Sequence, residues 1–229
     1  SIDTVTAIDA EDDNLTFTVS GSELAITSAG VLTFASAPDY ETKSTYTATV
    51  TASDGTNSTT QAITVNVTDV NEAPAFTSEA TFSAAENQTA IGTVAASDVD
   101  GDTITYSISG SDITINSSSG VIAFASAPNY ETTTSYSATV TASDGTNSTT
   151  QAITVNVTDV NEAPAFTSSA TFNAAENQTA IGTVAASDAD GDTITYSISG
   201  SDITINSSSG VIAFASAPDY ETKTSYTAT

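Results

Sequence analysis

The sequence has almost no positive charge. It contains two Lys and no Arg or His against 28 acidic residues, which gives a formal net charge of -26. The missing basic residues exclude a phosphate-binding stripe, so we expect no nucleic-acid partner and no attraction to anionic membranes. Cys, Met and Trp are also missing. Without Cys the chain has no disulfides, iron–sulfur clusters or thiolate zinc sites.

Long apolar runs are missing as well. No stretch of about 18 apolar residues is present, so we expect no membrane insertion by this segment. The strong excess of carboxylates instead makes cations the expected partners.

What the sequence does contain is an internal repeat. A 28-residue segment beginning at Thr51 recurs unchanged at Thr141, and the segment beginning at Ala84 recurs at Ala174. Both spacings equal 90 residues, which is typical of one small domain copied in tandem. We expect three units: a partial one at 1–70, a complete one at 71–160 and a partial one at 161–229. The first unit lacks a counterpart of Phe76–Thr89 and the third ends before its last strand, so we expect a window on a longer array.

Each unit shows the pattern of half-buried β-strands. Apolar and polar residues alternate in segments 103–108, 135–142 and 152–158, which are rich in Thr, Val, Ile and Tyr. Asp-Gly pairs and a Ser-rich segment at 117–120 supply turns. About seven short strands per unit predict an all-β fold of tandem Greek-key, immunoglobulin-like β-sandwiches in an elongated array. The expected core is Ile104, Tyr106, Ile115, Ile122, Phe124, Tyr136, Val140, Ile153 and Val155.

The acidic residues concentrate at the ends of the repeats. All but six of the 28 occupy repeat-end positions, the exceptions being Asp3, Asp12, Glu23, Glu79, Asp112 and Asp202. A merely solvated surface would scatter its acids, so the clustering favours ion binding. The alternative, that these are solvated turn acids, fits an isolated Asp-Gly pair better than a repeated set.

Five motifs, in order, resemble those of the cadherin repeat family. Asp69-x-Asn71-Glu72-x-Pro74-x-Phe76, repeated from Asp159, is similar to the family's linker motif between repeats. Asp98-x-Asp100, the Asp144 of TASDG, Tyr130-Glu131 and the Glu86 of the first strand resemble the remaining motifs. The resemblance covers the whole chain, and its compact DVDGDTITYSI form looks like the bacterial cadherin-like branch.

The sequence departs from the family in a few places. Glu72 and Ala73 stand where the family usually has Asp and Asn, and Asn129 replaces the acid found at Asp39 and Asp219. Without Trp, the strand exchange of animal cadherins has no counterpart here.

The resemblance implies calcium sites where repeats meet. Calcium takes six to eight oxygen ligands, and each junction offers carboxylates from one repeat, the linker and the next repeat. For the first junction the implied ligands are Asp39, Glu41, Asp69, Asn71, Glu72, Asp98, Asp100 and Asp144, with backbone oxygens of Val70 and Ala73. For the second they are Glu86, Asn129, Glu131, Asp159, Asn161, Glu162, Asp188 and Asp190, with backbone oxygens of Val160 and Ala163. Further candidates are Asp9, Glu11, Asp54, Asp102, Asp192, Glu176, Asp219 and Glu221; Asp102 and Asp192 are equally explained as turn formers.

These observations favour a structural protein over an enzyme. Paired carboxylates could suggest a glycosidase, but His, Cys and Arg are missing and the same acids recur in every unit. We expect a calcium-rigidified extender in a secreted or surface-anchored bacterial adhesin, filament or biofilm component. Its partners would be calcium ions and further copies of the repeat in the same parent chain. Two alternatives stay open: a polysaccharide-binding module, which needs exposed aromatic residues such as Tyr40 and Tyr130, and self-assembly into a fibre.

Overall fold

The computed structural model describes residues 1–11 and 13–229, so Asp12 lies outside the described residues. Within this part of the chain there are twenty strands and no helix. None of it therefore forms a helix able to cross a membrane.

The first repeat forms two small antiparallel sheets. Strands β1, β4 and β3 make one sheet, and β2, β5 and β6 make the other. The β5–β6 hairpin pairs from Thr45 with Asn66 to Ser53 with Ser58. The strands are β1 (Asp3–Thr4), β2 (Thr16–Val19), β3 (Leu24–Ile26), β4 (Val31–Phe34), β5 (Thr45–Ser53) and β6 (Ser58–Asn66).

The middle repeat is the most extensively paired. Its larger sheet has the order β11-β14-β15-β8, and its smaller sheet has the order β12-β13-β9. Strand β8 joins β15 in parallel, whereas every other pair is antiparallel. The strands are β7 (Ala75–Phe76), β8 (Thr81–Ala85), β9 (Ala90–Thr93), β10 (Ala96–Ser97), β11 (Thr105–Ile108), β12 (Ile113–Ile115), β13 (Val121–Phe124), β14 (Ser135–Ser143) and β15 (Ser148–Thr158).

The third repeat continues the same pattern in its described strands. It forms a β17-β20-β19 sheet and a β16–β18 pair. The strands are β16 (Ala165–Phe166), β17 (Ala180–Thr183), β18 (Ala186–Ser187), β19 (Ile203–Ile205) and β20 (Val211–Phe214).

The core of the middle repeat lies between its two sheets. Val140, Ile153 and Val155 come from the larger sheet, while Ile122 and Phe124 come from the smaller one, and all are at most 3% exposed. Tyr106, Ile115 and Tyr136 pack against this cluster and are only partly buried. The Tyr136 ring meets Phe124 edge-on, with centroids 5.1 Å apart. The core also includes Val157, which the alternation in segment 152–158 places on the same face as Ile153 and Val155. Ala84, Val94 and Ile113 belong to the core as well, although the sequence pattern did not predict them.

The predicted all-β fold is confirmed, because every described element is a strand and the middle repeat is a sandwich of two sheets. The alternation in segments 135–142 and 152–158 correctly predicted β14 and β15, which carry most of the large sheet. The unit boundaries 1–70, 71–160 and 161–229 stay a prediction.

Two neighbouring residues of β13 test the packing of the middle repeat. Ile122 is 1% exposed and Val121 is 49% exposed. We expect Ile122→Ala to lower the free energy of unfolding of the middle repeat by about 2–5 kcal/mol, because it leaves a cavity between the sheets. Val121→Ala should change it by less than about 0.5 kcal/mol. Denaturant unfolding of both variants measures this, and equal effects would contradict the assigned core.

Candidate metal sites at the repeat junctions

Each downstream repeat presents its acids from a tight loop after a short strand. Asp98 follows β10, and its Oδ1 accepts hydrogen bonds from the backbone amides of Asp100 (3.1 Å) and Asp102 (3.2 Å). Gly101 has a φ of 81°, a conformation that glycine adopts without steric cost. In the third repeat Asp188 accepts from the Asp192 amide in the same way. This loop aims the second acid of each pair, Asp100 or Asp190, back toward the linker.

Four acids converge at the first junction. Glu41 comes from the first repeat, Asp69 and Glu72 from the linker, and Asp100 from the middle repeat, and each places one oxygen within 4.8 Å of the others. The backbone amide of Glu72 donates to Asp100 Oδ2 at 2.9 Å. Residues from both repeats and from the linker therefore meet in one cluster.

The second junction has two overlapping acidic groups. One contains Glu86, Glu131 and Glu162; the other contains Glu131, Asp159 and Asp190. Glu131 belongs to both and therefore links them. As at the first junction, the linker amide of Glu162 donates to Asp190 Oδ2, at 2.8 Å. The two junctions thus share one backbone arrangement.

Glu86 is fixed by the linker itself. It is only 2% exposed, and its carboxylate accepts from the backbone amides of Tyr130 (2.8 Å) and Val160 (2.9 Å). A buried carboxylate is costly unless it is well hydrogen-bonded or lies next to a cation. Glu86 therefore ties the upstream repeat to the start of the second linker.

Carboxylate oxygens without partners mark both junctions. Six buried side-chain oxygens have no hydrogen-bond partner among the described residues, and four of them belong to these loops and linkers: Asp98 Oδ2, Asp100 Oδ1, Glu162 Oε2 and Asp190 Oδ1. Leaving a buried acceptor unsatisfied costs about 1–3 kcal/mol, and more for a charged group. Asp100, Glu162 and Asp190 belong to the groups of converging acids, so a hard cation at each junction would satisfy their unpaired oxygens, and the residues present fit calcium.

The raised pKa values of several junction carboxyls also favour a cation site. Burial, followed by the charges of Asp100 and Asp69, raises the pKa of Glu72. Burial and the neighbouring Asp190 raise the pKa of Asp159. The pKa of Glu162 is also raised, chiefly by burial, although a hydrogen bond from Asn87 opposes this. These carboxylates resist ionisation in the absence of a cation.

Several predicted ligands lie outside the groups of converging acids. Both oxygens of Asp39 accept hydrogen bonds from Thr42, at 3.1 and 3.0 Å, so they close a local turn. Asn129 Oδ1 accepts from the Thr132 hydroxyl in the equivalent turn. Asp98 and Asp188 brace their own loops through Oδ1. The predicted backbone ligands, at Val70, Ala73, Val160 and Ala163, lie in the irregular linkers.

Asp144 and the two linker Asn residues form contacts of their own. Asp144 Oδ2 accepts from Asn71 Nδ2 at 2.9 Å, which connects the first linker to the β14–β15 loop. Asn161 donates to the Glu162 carbonyl within the second linker. Asp144 and Asn71 are therefore adjacent, and their role as ligands stays a prediction.

Some of the further candidate calcium ligands lie in an acidic cluster, and the others form hydrogen bonds within turns. Glu176, Asp219 and Glu221 form a third acidic group at the end of the third repeat. Asp9 accepts from the amides of Glu11 and Asp13, and Asp54 accepts from those of Thr56 and Asn57. Asp102 and Asp192 use their backbone amides to complete the loops of Asp98 and Asp188.

Two residues at the junctions were missed by the sequence analysis. Asn87 has a left-handed φ of 61°, and its side-chain amide donates to Glu162 across the second junction. Asn147 donates from its side chain to the backbone carbonyl of Asn71 at 2.8 Å. Apart from glycine, Asn is the residue that most readily adopts a positive φ. This preference is the one sequence signal that could have marked Asn87 as a special position.

Tyr130, which the polysaccharide-binding alternative would need exposed, packs against the middle core. Among the described residues, the exposed aromatic side chains include Tyr40 (39% exposed), Phe166 (74%) and Tyr220 (62%), and Tyr40 lies in a different repeat from the other two.

Comparisons with known proteins agree with this architecture. The sequence-family model of the cadherin domain matches residues 80–158 of this chain. The protocadherin-like wing polarity protein stan of Drosophila melanogaster is 36% identical over 197 residues, which cover 73% of this chain but only 6% of that protein. These similarities are to animal proteins, so the bacterial origin stays a prediction.

Solved structures share the fold. Human CDH23 EC21-23 has a TM-score of 0.67 at 23% identity, covering 96% of this chain and 84% of that one. Mouse cadherin-23 EC22-24 has a TM-score of 0.61 at 23% identity, covering 95% and 81%. The segment that matches the cadherin domain, residues 80–158, contains strands β8 to β15 of the middle repeat.

Proposed function

We propose that this chain is a calcium-rigidified structural segment of an extracellular adhesion protein. The observation that carries the proposal is the set of four buried carboxylate oxygens without partners at the two linkers. Cadherin domains are adhesion domains that bind calcium, which supports the same ion here. The chain spans about 6% of the length of the curated relative it matches, so the parent protein's targets are part of the proposal.

Calcium would act by joining three parts of the chain. At the first junction Glu41, Asp69, Glu72 and Asp100 would hold it, and at the second Glu86, Glu131, Asp159, Glu162 and Asp190 would do so. Two carboxylates about 5 Å apart repel by roughly 3 kcal/mol at an effective dielectric of about 20. A bound divalent cation would attract both carboxylates and outweigh their mutual repulsion, so the linker would be held between the repeats.

Within this proposal the chain extends a larger protein. Adjacent copies are nearly identical in sequence, which suits a role in which length and stiffness matter more than individual surfaces. We place the segment in a secreted or surface-anchored adhesin or filament, of bacterial origin and in a biofilm setting. The units are 1–70, 71–160 and 161–229, and calcium and further repeats are the partners. A polysaccharide target or assembly into fibres would be a property of the parent protein.

The first junction offers a direct test with a matched control. Asp100 is half-buried in the cluster, whereas Asp112 is exposed in the turn before β12. We expect Asp100→Ala to weaken calcium binding by about tenfold or more, because it removes a carboxylate shared by linker and loop. Asp112→Ala should bind as the unaltered chain does. Isothermal titration gives both affinities, with circular dichroism checking the fold. Equal affinities would refute the ligand assignment.

The pH dependence of stability provides a second test. A carboxyl whose pKa is raised on folding stabilises the fold below its unfolded pKa, and this contribution is lost as pH rises through the folded pKa. In chelator, the free energy of unfolding should therefore fall as pH rises above the ordinary values of 4.5 for Glu72 and Glu162 and 3.8 for Asp159. Saturating calcium should abolish the fall.

Two matched variants show whether the pH dependence of stability comes from the junction carboxyls or from acids elsewhere in the chain. Glu72→Gln should flatten the pH dependence, because it removes a carboxyl from the cluster. Glu79→Gln, an exposed acid outside the clusters, should leave it unchanged. Urea unfolding across the pH range measures the effect. A stability that rises with pH in chelator across this window would overturn the electrostatic account.

A further inference from the structure

Strand β10 carries the acidic loop of the middle repeat to the first junction. It pairs with β7, which begins directly after Pro74 of the linker, and Asp98 follows it at once. On the β7 side, the Ala95 carbonyl accepts from the Thr77 amide at 2.8 Å. Because a trans peptide points its carbonyl and its amide in opposite directions, the Ala96 amide faces away from β7 and needs another acceptor.

The hydroxyl of Tyr106 is that acceptor. The Ala96 amide donates to it at 2.9 Å, in a partly buried hydrogen bond. Tyr106 lies in β11, and its side chain packs against the core of the middle repeat. The bond therefore connects β10 to a side chain that is fixed in the core. Neither residue is a proposed calcium ligand, so a cation at the junction does not compete for this bond.

The third repeat has the same arrangement. The Ala186 amide of β18 donates to the Tyr196 hydroxyl at 3.1 Å. Strand β18 pairs with β16, which begins after the second linker, and it is followed by Asp188. In both repeats the tyrosine stands 10 residues after its donor. The bond is therefore a repeated feature of the strand that carries the acidic loop to each junction.

The packing of the tyrosine ring does not require the hydroxyl. Phe17 occupies the equivalent position in the first repeat, since it pairs with Ala52 as Tyr106 pairs with Ala142. A Cβ placed on Gly120 would lie 3.4 Å from Cε2 of Tyr106, and a Cβ placed on the equivalent glycine of the first repeat would lie 3.5 Å from Cε2 of Phe17. The two rings thus occupy equivalent places, although one of them has no hydroxyl. The Tyr106 hydroxyl therefore has a role separate from core packing.

We propose that the Tyr106 hydroxyl is a positioning group for calcium binding at the first junction, and that the Tyr196 hydroxyl has this role at the second. The inference rests on the proposed calcium function. The bonded β10 presents Asp98, whose loop directs Asp100 toward the linker. Without the hydroxyl, the β10 amide lacks an acceptor whenever the strand is in place, so the loop is displaced in a fraction of the molecules. The apparent calcium affinity then falls in proportion to the fraction that stays competent.

The test replaces Tyr106 by Phe, which removes the hydroxyl and keeps the ring. In chelator, hydrogen exchange followed by nuclear magnetic resonance should show the Ala96 amide exchanging about two- to tenfold faster, because one hydrogen bond is lost. In a calcium titration, the first junction, followed through the Glu72 amide, should bind about two- to tenfold more weakly. The second junction, followed through the Glu162 amide, should bind as in the unaltered chain. Tyr196→Phe should give the reverse result at the two junctions.

The difference between the junctions separates positioning from a general loss of stability. The middle repeat also supplies Glu86 and Glu131 to the second junction, so a destabilised middle repeat would weaken calcium binding at both. Tyr136→Phe is the matched control, because it removes a hydroxyl from β14 beside the same core. It should change neither calcium affinity nor the exchange of the Ala96 amide.

The outcomes distinguish this inference from the proposed function. Unchanged Ala96 exchange or unchanged first-junction affinity in Tyr106→Phe would overturn the inference and leave the calcium function intact. Equal weakening of both junctions, or an equal loss in Tyr136→Phe, would do the same. If neither linker amide of the unaltered chain responds to calcium, the calcium function fails and the inference fails with it.

Discussion

The repulsion among carboxylates at the linkers is the constraint on which the architecture depends. Neither of the chain's two Lys side chains relieves it. Lys43 pairs with Glu23 at 2.6 Å and Lys223 with Asp202 at 2.7 Å, and neither of these acids belongs to an acidic cluster. Each Lys also lies over a Tyr ring of its own repeat. Under the proposed function, the positive charge at the linkers would come from solution, and the stiffness of the chain would depend on the surroundings.

The same sequence packs differently according to its neighbours. Strands β6 and β15 share an identical sequence over their common length, but Ile153 is 1% exposed whereas Ile63 is only half-buried. The difference is β8, which pairs in parallel with β15 and covers its edge. With it β15 reaches Thr158, while β6 ends at Asn66. In the middle repeat β8 covers the edge of β15, and Glu86, just past β8, connects core packing to the linker.

The sequence predicted the fold better than it predicted individual contacts. The long strands alternate over enough residues for their period to be recognised, whereas Val94 and Ile113 lie in or beside strands too short to show one. The sequence spacing placed Asp39 and Asp100 at the repeat ends, but it could not show which carboxylate oxygens already accept hydrogen bonds. In the structure, both oxygens of Asp39 accept hydrogen bonds from Thr42, whereas one oxygen of Asp100 has no hydrogen-bond partner. The contacts of Asn87 and Asn147 depend on where the linker runs, which no local pattern reports.

The most direct test of the central claim is to locate cations in crystals of this chain grown with calcium, using their anomalous scattering. The account predicts peaks at both linkers, within about 2.3–2.6 Å of the junction carboxylates. Asp100 and Glu72 should be among the ligands at the first linker, and Asp190 and Glu162 at the second. Crystals that bind calcium only at scattered surface acids, with both linkers free of anomalous signal, would contradict it.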